Sequence, residues 1–238
     1  MARHHSLRTA FQRLWQLLRT SGVKKTVGVA VSVVEDRYIN SFDRKYGVWT
    51  SGPFALSESA FPQDKLANAT RYDPVNAWAF RWVLNQLALA HDLAFADFGC
   101  GLGRACIIAA EYGFRRVVGV ELAADTCKIV RRNIAICRSR SPGVKAIQIV
   151  EGDVLDYCRQ TEEDVFFMYR PFTFDFFCVV LGKLAERAAV QKKLLTIIYT
   201  ERLSVDSYTH AFAEVPGFRL TFEGTRLGAV FYVYECGG

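Results

Sequence analysis

The chain has 238 residues, 51% hydrophobic and 23% charged, enough for one well-buried core and too apolar for a disordered polymer. Its seven cysteines are odd in number and form no C-x-x-C pair, which argues against a disulfide framework and for buried or free thiols in a cytoplasmic protein. The formal net charge of +6 is carried by Arg3, Arg8, Arg13, Arg19, Lys24 and Lys25 within residues 1–25, so the remainder is neutral and gives no strong nucleic-acid signal.

No apolar run approaches a membrane span, and the basic start lacks the apolar stretch and cleavage site of a secretory signal. The four histidines have no metal-ligand spacing to cysteine, so no structural zinc is implied. In chain order, Leu7, Phe11, Leu14 and Leu18 recur at helical spacing opposite Arg8, Gln12, Arg13, Gln16 and Arg19. This basic amphipathic helix is expected to pack on the domain or on a second subunit. The alternative is a peripheral contact with a membrane through residues 1–25. Val23, Val27, Ala30, Val31, Val34 and Tyr38 continue a helical pattern.

Residues 42–53 have no period but carry aromatics, charges, hydroxyls and two glycines, and Tyr46 to Gly52 is expected to form a lid. An apolar helix over 75–90 leads into a regular alternation. Strands are expected at about 93–98, 116–121, 146–150, 164–169 and 193–200, and helices at 104–112, 123–136, 154–160 and 174–190. Residues 218–222 and 229–234 form a hairpin joined by 223–228. The fold class is α/β: a doubly wound, mostly parallel seven-stranded sheet with an antiparallel C-terminal hairpin and a helical N-terminal extension. Residues 1–70 form the extension and lid, and 71–238 the ligand-binding domain.

The first strand ends in Asp97-Phe98-Gly99-Cys100-Gly101-Leu102-Gly103-Arg104. Glycines let the backbone turn sharply and approach a ligand, and the helix that follows offers unpaired N–H groups to an anion. The second strand ends in Glu121, a carboxylate placed for a ribose diol. These features point to a nucleoside-bearing cofactor. A dinucleotide fingerprint would need its third glycine at position 104, which is Arg104. Other roles stay open: a tight connection for the glycines, and helix capping for Glu121 and Asp153.

The pattern G-x-G-x-G behind an acid, Glu121, and Glu151-Gly152-Asp153-Val154 after the third strand resemble the motifs of class I S-adenosylmethionine-dependent methyltransferases. The resemblance covers roughly residues 70–235 and implies S-adenosylmethionine as cofactor. It implies that Asp97, Gly99, Gly101 and Gly103 hold the methionyl end, Glu121 the ribose, and Asp153 and Val154 the adenine. Tyr46, Thr50, Tyr72, Tyr169 and Pro171 are further candidates around the cofactor, and Tyr46, Tyr169 and Arg170 are candidates at the reacting centre. Tyr72-x-Pro74 ahead of the glycine motif is similar to bacterial methyltransferases of unassigned substrate and to some protein-lysine methyltransferases. The methyl acceptor is unknown, a protein or a small molecule, and an amine such as protein lysine is the leading guess. A small-molecule O- or N-methyltransferase and a non-catalytic cofactor-binding module are the alternatives. Where amine-directed members carry Asn or Asp before Pro-aromatic, this chain has Arg170, which has no acceptor atom. Arg170 either binds an acidic substrate group or pairs with an acid such as Asp43 or Asp73.

Overall fold

A computed structural model describes residues 41–51, 73–141, 147–203 and 207–237. The predicted helices before residue 41 and the candidate Tyr72 lie outside these. The chain divides into two compact units, Met1–Phe42 and Asp43–Gly238. Of the first only Ser41 and Phe42 are described, and the second is the subject below.

The described elements of the larger unit are α1 (Ala77–Leu87), β1 (Ala94–Phe98), α2 (Arg104–Tyr112), β2 (Arg116–Glu121), α3 (Ala124–Arg140), β3 (Ile147–Glu151), α4 (Val154–Cys158), β4 (Val165–Tyr169), α5 (Phe174–Gln191), β5 (Leu195–Arg202), α6 (Ala211–Glu214), β6 (Phe218–Arg226) and β7 (Ala229–Cys236). They form one seven-stranded sheet in the order β3-β2-β1-β4-β5-β7-β6. The pairs among β1 to β5 are parallel, and β7 is antiparallel to both β5 and β6. β1 is buried along its whole length, as a central strand covered on both faces must be. Strand order reverses between β1 and β4, which opens a crevice at the carboxyl ends of the parallel strands.

Local chemistry sets the element ends. Asn76 caps α1 by accepting from the Trp78 and Ala79 N–H groups at 3.0 and 3.1 Å. α3 runs to Arg140, past the predicted 136. Its buried stripe Cys127, Val130, Ile134, Cys137 continues one more turn, and Arg138 and Arg140 suit the negative end of the helix. Arg138 also donates to the Ile147 carbonyl at 2.7 Å, tying that turn to β3.

The predicted connector 223–228 is mostly strand, because β6 continues to Arg226, which pairs with Ala229. Leu227 and Gly228 alone make the turn, with φ of 50° and 78°. Two left-handed residues match the twist of a hairpin. All seven cysteines are free, and all but Cys178 are buried.

Candidate active site

The loop between β1 and α2 turns on three left-handed glycines, Gly99, Gly101 and Gly103, with φ of 74°, 51° and 86°. The Gly99 and Cys100 N–H groups both donate to the Val120 carbonyl at 3.0 Å, which ties the loop to β2. A Cβ on Gly99 would lie 2.7 Å from Cβ of Pro171, so the loop also packs against the segment after β4. Gly103 is the N-cap of α2 and supplies no side-chain acceptor to the helix's first N–H groups. The positive end of α2 therefore faces the loop with its donors available to an anionic group.

Beneath the loop lies Asp97, which is 4% exposed. Burial raises its pKa to about 7; the Cys106 thiol, donating to Oδ2 at 3.5 Å, opposes the shift, and the charge of Glu121 adds to it. Gly119 lies beside Asp97 in register. A Cβ there would come within 2.9 Å of the Cys100 and Cys106 sulfurs, so this glycine makes room for both thiols.

Glu121 closes β2. Its Oε2 accepts from the Gly101 N–H at 3.0 Å and its Oε1 from the Ala123 N–H at 2.9 Å. Burial raises its pKa and these backbone donors pull it back. Of the capping roles left open, Asp153 takes one: it is the N-cap of α4 and accepts from the Leu155 N–H at 2.9 Å. Glu121 instead joins the glycine loop to the turn before α3.

Residues 43–51 are held against α2 and α3. Arg104, 2% exposed, donates from Nε to Thr50 Oγ1 at 2.8 Å, from Nη1 to the Val75 carbonyl at 3.2 Å and from Nη2 to Ser51 Oγ at 3.1 Å. Asp43 lies 3.5 Å from Nη2 of Arg104 and accepts from the Thr50 N–H at 2.8 Å and from the Thr50 and Ser51 hydroxyls. Asn133 of α3 donates to the Trp49 carbonyl at 2.9 Å and the Leu102 carbonyl at 3.1 Å. It also accepts from the Trp49 N–H at 3.2 Å, so its side chain bridges the segment to the glycine loop.

Thr50 is therefore fully buried and engaged with Asp43 and Arg104. Tyr46 is brought elsewhere. Its hydroxyl bonds to Glu111, Lys45 and Arg81, and Glu111 lies two turns along α2 from Arg104.

At the end of β4, Tyr169 donates to Asp73 Oδ2 at 2.9 Å, and burial first, then the charge of Asp73, raises its pKa. Arg202, at the end of β5, makes a bidentate pair with Asp73 at 2.6 and 2.8 Å. Arg170 has φ of 39°, and its guanidinium lies 4.2 Å above the centre of the Tyr208 ring. Of the two acids named as possible partners of Arg170, Asp43 is bound by Arg104 and Asp73 by Arg202. Sequence reasoning missed Asn133 and gave Arg104 no positive role. One signal was available for Arg104: a cation at the first position of a helix opposes the dipole and calls for an acid nearby.

Among the described residues, no helix is long and apolar enough to cross a membrane. Likewise, no group of three or more His, Cys, Asp or Glu residues is placed to hold a metal ion.

No family model matches this sequence, and a search of curated proteins gave no match. Solved structures do align. A proposed RNA methyltransferase from Pyrococcus horikoshii is 15% identical with a TM-score of 0.56, over 85% of this chain and 96% of its own. An RNA methyltransferase from Salinibacter ruber in complex with S-adenosyl-L-homocysteine is 16% identical with a TM-score of 0.52, over 69% of this chain and 94% of its own. A ribosomal-protein methylase from Lactobacillus delbrueckii is 14% identical with a TM-score of 0.53, over 70% of this chain and 81% of its own. At such identities the similarity speaks for the fold: this chain has the Rossmann-like fold of class I methyltransferases.

Proposed function

We propose that the chain is an S-adenosylmethionine-dependent methyltransferase. The observation that carries this reading is the left-handed glycine loop at the N-terminus of α2, flanked by buried Asp97 and by Glu121, whose carboxylate is tied to the loop through Gly101. The donor set fits the cofactor. The positive end of α2 suits a methionyl carboxylate and Asp97 its ammonium, which favours the ionised form of Asp97. Glu121 uses two of its roughly four acceptor sites on backbone N–H groups, which leaves the others for a ribose diol. Asp153 and Val154, beyond β3, border the adenine end. Pro171 braces the loop at Gly99.

The cofactor supplies a methyl group already activated on a sulfonium. What the protein must add is positioning and exclusion of water. A base is required only where the acceptor must lose a proton. The 43–51 segment, fixed to Arg104 and to Leu102 through Asn133, supports a role as a wall of the crevice. The comparisons do not support protein lysine as the acceptor, and the acceptor is not determined. Arg170 stands where an amine-orienting carboxamide is expected, and a guanidinium repels a cationic lysine.

Calorimetry with S-adenosylhomocysteine and with NAD tests the cofactor. We expect saturable binding of the first and none of the second. Transfer of labelled methyl from S-adenosylmethionine into cell extract, with ribonuclease and protease controls, tests catalysis. Binding without any transfer would leave a cofactor-binding module instead of an enzyme.

A further inference from the structure

Resting on the methyltransferase reading, we propose that Cys106 is a positioning residue of the cofactor site: its thiol holds the Asp97 carboxylate in the orientation that receives the ammonium of S-adenosylmethionine.

Asp97 is the last residue but one of β1 and lies buried under the glycine loop. Among the described residues its carboxylate meets no cation and one hydrogen-bond donor, the Cys106 thiol, 3.5 Å from Oδ2. An interior carboxylate normally holds a cation or several donors, because an unanswered buried charge is costly. A thiol is a weak donor, so it orients Asp97 without satisfying it. The acceptor sites that remain suit a cationic N–H donor, whose hydrogen bonds to a carboxylate are the strong kind.

Three elements hold the sulfur in place. Cys106 is the third residue of α2, fully buried in the first turn of the helix. Its thiol is in hydrogen-bond contact with that of Cys100 in the loop. Gly119 of β2 leaves the space that both sulfurs use. Glycine weakens the interior of a strand, and it is found where another group must approach closely.

The titratable groups that face Asp97 are Cys106 of α2, Cys100 of the loop and Glu121 of β2, while β4 presents Phe167 in register. Burial and the charge of Glu121 favour the proton on Asp97, and the thiol favours the ionised form. Only the ionised form pairs with an ammonium. Cofactor binding should therefore strengthen as pH rises through about 7, and loss of the thiol should matter most below that value.

The test is calorimetry of the full chain with S-adenosylhomocysteine at about pH 6 and about pH 8, on either side of this titration. We expect Cys106→Ala to weaken binding about fivefold at the lower pH and about twofold at the higher, where Asp97 is ionised with or without the thiol. Cys106→Ser keeps a donor and should stay within about twofold of the wild type at both. Cys106→Val fills the space without a donor and should follow the alanine variant; it decides the matter if alanine fails to fold. Carbon-13 carboxyl titration of the protein without ligand follows Asp97 directly, and its pKa should rise in the alanine variant and not in the serine one. The proposal is overturned if the alanine and valine variants bind like the wild type, if serine binds no better than alanine, or if the loss is equal at both pH values. A wild type that never binds S-adenosylhomocysteine would sink the methyltransferase reading itself; a raised Asp97 pKa in the alanine variant would then leave the thiol and carboxylate as a structural pair.

Discussion

Nε of Arg104 donates a 2.8 Å hydrogen bond to Oγ1 of Thr50, and neither residue is more than 2% exposed. The pair connects the first residue of the helix behind the glycine loop to a segment more than fifty positions earlier in the chain. A buried guanidinium is tolerable only when its donors and charge are answered, and Val75, Ser51 and Asp43 complete the set. The hub thus fixes residues 43–51 and the start of α2 as one piece.

Arg104→Ala leaves Asp43 without its cation. Breaking such a buried pair costs about 3 kcal/mol, or roughly 6–12 °C in melting temperature for a unit of this size. Tryptic cleavage at Arg44 or Lys45 should accelerate markedly. A variant that melts with the wild type and resists trypsin equally would show that the hub does not hold the segment.

Asp97 predicts a pH dependence. Burial raises its pKa to about 7 in the folded protein. The unfolded chain releases this proton near pH 4, so between about pH 4 and 7 the folded state binds more protons and stability falls as pH rises. The loss from this group is on the order of 4 kcal/mol. Glu121, also raised by burial, acts in the same direction. Denaturant titrations across this range should show a clearly smaller decline for Asp97→Asn than for the wild type. Equal slopes would place the ionisation elsewhere.

Glu121→Ala removes the acceptor of the Gly101 and Ala123 N–H groups and, on the proposed function, the ribose contact. Loss of charge-assisted bonds predicts S-adenosylhomocysteine binding weaker by about 1.5–3 kcal/mol, tenfold or more. Stability should fall by about 1 kcal/mol from the lost backbone bonds. Calorimetry beside thermal melting separates the two effects. Unchanged affinity would remove the ribose assignment.

Leu227 holds a left-handed conformation at φ 50° beside Gly228 and is 46% exposed. Leu227→Asn places the preferred Asn-Gly pair in this two-residue turn. It should stabilise the protein by roughly 0.5–1 kcal/mol, read as a higher denaturant midpoint at unchanged slope. A lower midpoint would mean that the leucine side chain contributes more by packing than its backbone costs.

The alternating pattern from residue 93 onward was legible in the sequence because strands and helices carry different apolar periods, and α2 and β2 fall where that pattern put them. So was the G-x-G-x-G turn, since left-handed backbone at Gly99, Gly101 and Gly103 is what glycine alone adopts readily. The ends of α3 and β6 were not. Arg138 finds its acceptor on Ile147, and β6 gains its last residues by pairing with β7; both are contacts across the chain. The same holds for the polar partners. Sequence offers a carboxylate several cations and a cation several acids. Only the tertiary structure decided that Asp43 belongs to Arg104, Asp73 to Arg202 and Tyr169, and Arg170 to the Tyr208 ring. Periodicity and glycine geometry are properties of neighbouring residues, whereas burial, which makes an ion pair obligatory and raises the pKa of Asp97, is a property of the assembled core.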